Sequence, residues 1–124
     1  MNAERKQRTL RVLRDMRELL AKPEAWRKQA YAGRRIGEPP TSPNGEWVVF
    51  ANADPFSADA NCWCLAGAIR KCSAFDVVAS EWVRKELQAT LGVVSIPKHN
   101  DAPERTHAEI VGAIDTTITR LEAA

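Results

Sequence analysis

The chain has 124 residues, 44% of them hydrophobic and 27% charged, with a formal net charge of +2. That length suits one domain spanning residues 1–124 whose single core removes about two thirds of the unfolded surface from water, and the composition lies far from that of disordered chains. No apolar run approaches the roughly 20 residues of a membrane-spanning helix, and the charged N-terminus lacks the apolar stretch of a secretory signal, so a cytoplasmic protein with no membrane partner is expected.

The first predicted element is an amphipathic helix from Asn2 to about Ala21, with Leu10, Val12, Leu13, Met16, Leu19 and Leu20 on one half of its circumference. Its other face carries Arg8, Arg11 and Arg14, where Arg11 with Asp15 and Arg14 with Glu18 have the i,i+4 spacing of ion pairs. Charge is unevenly spread: residues 1–35 hold eleven Lys or Arg against four carboxylates, and the remainder holds seven against twelve. That polarity suits an anionic partner, a second copy of the chain, or packing of one half on the other.

Pro23 and Glu24 suit the first turn of a second helix running to about Ala32, with Trp26 inward and Gly33 as its end. Residues 37–45, with three prolines and an Asn-Gly pair, predict an exposed loop. Glu46–Phe50 has the composition of a strand, and Val93–Ile96 is its expected partner in a short two-stranded ribbon. Ser57 or Asp59 then offers a cap for a central helix that includes Asn61–Ile69 and runs to about Cys72. No charged residue lies between Cys62 and Ile69, the mark of a helix packed on several sides, and Gly67 suits a place where another backbone comes close.

Ser73 and Asp76 resemble a capping box for a fourth helix carrying Phe75, Val78, Ala79, Trp82, Val83, Leu87 and Leu91 inward and closing at Gly92. Residues 93–105 read as irregular, and Asn100-Asp101 there reads as a turn, Asn left-handed and Asp accepting backbone amides. Thr106 and Glu109 form a capping box for a last helix with Ile110, Val111, Ile114, Ile118 and Leu121 on one stripe. The expected fold is mainly α: about five helices, with the first, fourth and fifth enclosing the central one, and a core that includes Trp26, Trp63, Cys64, Gly67, Ala68, Cys72 and Trp82.

Trp26-x-x-Gln29-Ala30-x-Ala32, Asn61-Cys62-Trp63-Cys64-Leu65-x-Gly67-Ala68-Ile69 and Asn100-Asp101 together resemble an uncharacterised family of small bacterial and bacteriophage proteins, a domain of unknown function with a Trp-Cys-x-x-Gly-Ala core and a later Asn-Asp. This chain departs from it in carrying His99 before Asn-Asp. The resemblance implies a helical domain of bacterial or phage origin and transfers no activity.

Three cysteines within eleven residues read as free thiols rather than a disulfide framework. Cys64 near a helix start, with His99 or His107 as base and Asp101 as orienter, would make a thiol enzyme; an apolar surrounding would instead leave the thiol inert, which is the preferred reading. Cys62, Cys64, Cys72, His99 and His107 lack the ligand spacing of structural zinc, and neither metal nor cofactor is expected. Asn100 and Asp101 could alternatively face a ligand in a pocket. The basic face formed by Arg8, Arg11 and Arg14 supports at most sequence-independent phosphate contact. The function expected is therefore a small non-enzymatic cytosolic accessory protein acting through protein contacts or self-association, with a nucleic-acid-associated regulator second and an enzyme at Cys64 third.

Overall fold

The structure is a computed structural model that describes residues 1–36, 48–52 and 54–124. Helix α1 spans Ala3–Leu19 and begins where the Asn2 side chain accepts the Arg5 amide at 2.8 Å. It buries Leu10, Val12, Leu13 and Met16, the stripe that its periodicity marks, and adds Thr9, whose hydroxyl is satisfied by the Arg5 carbonyl.

The helix expected over 23–32 does not form. Pro23–Ala25 make one 3₁₀ turn, after which Trp26 is extended and forms a parallel bridge with Trp63. Local helix signals lose here to distant partners, since the Arg27 amide donates to the Trp63 carbonyl and Gln29 takes a φ of 70°. Gly33, expected to stop that helix, lies inside strand β1 (Ala32–Ile36). Antiparallel to β1 runs β2 (Val48–Asn52), with Arg34 opposite Phe50, and on the other edge lies the two-residue β3 (Cys62–Trp63). The expected strand is thus present over Val48–Phe50, Glu46 and Trp47 lying outside the described residues, but its partner is β1 rather than Val93–Ile96, where Val94 is 90% exposed and Ile96 opens a helix. The predicted loop at 37–45 lies outside the described residues.

Helix α2 (Leu65–Ser73) starts later than expected, because Cys62 and Trp63 are committed to β3 and the cap is Cys64, not Ser57 or Asp59. The Cys64 Sγ accepts the Gly67 amide at 3.2 Å. Gly67 meets its predicted role: a Cβ there would lie 1.8 Å from the Tyr31 carbonyl oxygen. Helix α3 (Val77–Leu91) is capped by Asp76 alone, since Ser73 belongs to α2 and donates to the Ile69 carbonyl. Its inward residues are Ala79, Val83 and Leu87, with Trp82 and Leu91 half-buried beside them, and Gly92 closes it in the left-handed conformation. Phe75 and Val78, expected inside, are 87% and 52% exposed, because positive φ at Ala74 and Phe75 turns the chain before the helix begins.

Residues 96–101 are helical rather than irregular: Ser95 caps α4 (Ile96–Asp101), and Pro97 sits in its first turn, where no amide hydrogen is needed. Helix α5 (His107–Ala123) carries the predicted Thr106–Glu109 capping box and buries Ile110, Ile114 and Leu121, together with Ala113 and Thr117. The domain is mainly helical. Helix α1 packs on α2, α3 and α5, while α2 is held between α1, α3 and α4; the main contacts of α5 are with α1 and α3, not with α2 as expected.

The uneven charge is matched within the chain. Arg8 pairs with Asp76, Arg14 with Glu122, Arg17 with Asp115 and Arg34 with Asp59, so four basic residues of the first 35 meet carboxylates of the remainder. The expected pairs Arg11–Asp15 and Arg14–Glu18 do not form: Arg14 pairs with Glu122 instead, and Arg11 has no carboxylate partner among the described residues.

Candidate functional site

Asn100 is fully buried and uses both ends of its amide. Its Oδ1 accepts from Trp26 Nε1 at 2.7 Å and from the Leu65 amide at 3.0 Å, while Nδ2 donates to the Arg27 carbonyl and to Asp101 Oδ1. Asp101 Oδ1 also accepts the Gln29 amide at 2.8 Å. The pair therefore ties α4 to the segment 26–31 and to the first turn of α2, satisfying an amide that helix geometry leaves orphaned. Asp101 accepts a backbone amide as expected, but Asn100 is helical, and the left-handed residue is Gln29.

A cavity of about 300 Å³ opens beside this pair, lined by Gln29, Ala30, Tyr31, Cys64, Pro97 and Asp101. The Cys64 thiol on its wall is 4% exposed. Burial pushes this thiol up, the Gly67 and Ala66 amides pull it back, and the Asp101 carboxylate pushes it up again, leaving it above its ordinary value. Neither histidine lines the cavity. His107 Nε2 contacts the Leu20 carbonyl at 2.6 Å, and burial with the nearby Arg105 guanidinium holds the His99 imidazole below its usual value. The Cys-His-Asp constellation is thus not assembled: only Cys64 and Asp101 share the cavity. Among the described residues, no three His, Cys, Asp or Glu are grouped to hold a metal. Trp63, Ala68 and Gly67 are buried, and Cys72 and Trp82 are half-buried against the core.

Of the three arginines on the basic face, Arg8 is held by Asp76 and lies over the Trp82 ring, and Arg14 is held by Glu122. Arg11 is exposed and has no ion pair among the described residues.

A second surface, not anticipated from the sequence, lies at the turn between α2 and α3. Ala74 and Phe75 have φ of 42° and 47°, a region in which side chains with a Cβ are strained. The turn holds Phe75 outward, stacked on Phe56 with ring centroids 4.9 Å apart, beside Val77, which is 77% exposed. A cavity of about 330 Å³ lies under this pair and a second of about 390 Å³ adjoins it, the two sharing Arg70 and Ser80. The second is in turn joined to the Cys64–Asp101 cavity by Tyr31 and Pro97. Arg70 stands at the junction with its guanidinium 4.4 Å from the centroid of the Tyr31 ring and no ion pair among the described residues. One sequence signal of this surface exists: Val77 falls off the stripe defined by Ala79, Val83 and Leu87.

No helix among the described residues is long and apolar enough to cross a membrane. No curated protein and no solved structure matches the chain. The model of a family of unknown function, DUF6197, matches residues 4–120, and the chain belongs to that family.

Proposed function

We propose that the chain is a non-enzymatic accessory protein of a bacterial or bacteriophage cytoplasm that acts by docking another protein on the surface between α2 and α3. The observation that carries this reading is the outward Phe75, 87% exposed on a left-handed turn, with Val77, Val78 and Val94 also exposed nearby in sequence or along the same groove. A backbone held in a strained conformation to present an aromatic ring to water is a feature that folding alone would not favour. The enzyme reading has less support, because the Cys64 thiol is buried with no histidine beside it in the cavity. The nucleic-acid reading has Arg11 as its open cation, while Arg8 and Arg14 are engaged by carboxylates. Self-association loses its motive, since the charge asymmetry is largely met within one chain.

A photo-crosslinking residue placed at position 75, and a control placed at Gln7 on α1, test the reading in the native host. A discrete adduct specific to position 75, whose partner then binds the purified protein directly, is the expected result. Identical adduct patterns at both positions would overturn it.

A further inference from the structure

The groove at the α2–α3 turn has a charge character as well as an apolar one, and this narrows what it can hold. Its charged residues are Arg70, Asp76 and Arg84. Asp76 is neutralised by Arg8, and Arg84 by Glu81. Arg70 alone is left without a carboxylate among the described residues, so the groove presents one uncompensated positive charge.

That charge is placed by an aromatic ring. The Arg70 guanidinium lies over the Tyr31 ring, and the backbone that carries this ring is held where the Tyr31 carbonyl sits against Gly67 and, two residues earlier, where Asp101 accepts the Gln29 amide. A stacked guanidinium keeps its planar fork of donors free at the edge, the geometry that receives a carboxylate through two parallel hydrogen bonds. On one side of it lie Phe56, Phe75 and Val77, and on the other Val94 and Ile96. An aromatic and aliphatic rim around a preorganised arginine matches the composition of energetic centres in protein interfaces, where a central anchor is enclosed by contacts that exclude water.

We propose that this groove binds a segment of a partner protein in which an Asp or Glu side chain, received by Arg70, is flanked by apolar side chains that pack on Phe56, Phe75 and Val77. This rests on the docking function proposed above and adds the chemistry of the occupant.

The test uses the chain of residues 1–124, immobilised and presented with a phage-displayed library of random twelve-residue peptides, with an Arg70→Glu, Phe75→Ser double variant for counter-selection. Both positions are exposed, and circular dichroism checks that the variant folds. Enriched peptides carrying an acidic residue among apolar ones, binding at least tenfold more weakly to Arg70→Glu and to Phe75→Ser, are expected. Replacing the acidic residue of such a peptide by Lys should restore binding to Arg70→Glu, a reciprocal exchange that a nonspecific apolar contact would not show. Apolar peptides indifferent to Arg70 would overturn the acidic occupant while leaving the docking function standing. Failure to enrich any peptide over the double variant would overturn the proposal, with the crosslink at position 75 then deciding the docking function by itself. A dimer seen by sedimentation and dissolved by Phe75→Ser would make the groove an interface between copies and would likewise overturn the proposal.

Discussion

Trp26 Nε1 donates to Asn100 Oδ1 at 2.7 Å inside the protein, joining residues 74 positions apart in the chain. The same oxygen accepts the Leu65 amide, so removing it strands two buried donors at once. Asn100→Ala is expected to lower unfolding free energy by about 3 kcal/mol or more, since each buried unsatisfied group costs about 1–3 kcal/mol. Asn100→Asp keeps the acceptor but turns an oxygen toward the Arg27 carbonyl and Asp101. Burial and those acceptors would raise the new carboxyl's folded pKa above its unfolded value, so this variant should regain stability as pH falls. Urea titrations at pH 7 and pH 5 measure both effects; an Asn100→Ala protein as stable as the wild type would mean that water replaces the side chain.

Gly67 and Gly112 are both helical glycines and should respond oppositely to alanine. At Gly67 the added Cβ falls 1.8 Å from the Tyr31 carbonyl oxygen, so the backbone must move, at a cost on the order of 2 kcal/mol despite better helix propensity. At Gly112 an added Cβ meets nothing within 4 Å beyond the adjoining backbone of its own helix, and Gly112→Ala should stabilise by about 0.5–1 kcal/mol. Thermal melts of the two variants side by side test the contrast.

The thiols should be sluggish. Burial pushes Cys72 up to about 12 and pushes Cys64 above its ordinary value, so little thiolate of either exists at pH 8. Iodoacetamide should modify both at least about tenfold more slowly than free cysteine until the protein is denatured. Mass spectrometry of the alkylated protein reads this directly, and rapid native modification of Cys64 would reopen the case for thiol chemistry.

Part of the acid sensitivity should trace to the start of α3. The Arg8 hydrogen bond, aided by the Ala79 amide, holds the Asp76 carboxyl below its ordinary value, and Thr106 does the same for Glu109. A depressed folded pKa adds stability that is present above the unfolded value of about 3.9 for Asp and about 4.3 for Glu, and is lost as pH falls through the folded value. Melting temperature should therefore drop on acidification below about pH 4.5. Asp76→Asn should start lower at pH 7 and fall less, which a pH series of melts would show.

Features carried by local chemistry are legible in the amino-acid sequence. The stripe of α1, the Thr106–Glu109 box and the Gly92 stop each depend on residues within a few positions. Gly67 is legible because a helix tolerates glycine at a close approach, and the Tyr31 carbonyl supplies one. What escapes depends on distance along the chain. Pro23-Glu24 signals a helix start that Trp63, Asn100 and Asp101 override by capturing residues 26–29 in extended and left-handed conformations. Cysteine is a weak acceptor, so Ser57 and Asp59 read as better caps than Cys64, which takes that place. Pro97 reads as a breaker, although the first turn of α4 has no use for its missing hydrogen. Of the groove, only the place of Val77 off the α3 stripe is legible, because the positive φ that turns Phe75 outward leaves no periodic trace.

Asn100 also carries a consequence for the order in which the molecule is made. Helix α2 receives part of its N-terminal satisfaction from a residue 35 positions further on, and segment 26–31 waits on the same residue. As the chain leaves the ribosome, α1 and the start of α2 emerge well before α4. Closing such long loops costs entropy before the contacts repay it, so the early segments are expected to lock only once Asn100 is available. The groove beside Tyr31, which Val94, Ile96 and Pro97 also line, is therefore expected to form late in folding and to be missing from a nascent chain that ends before Asn100.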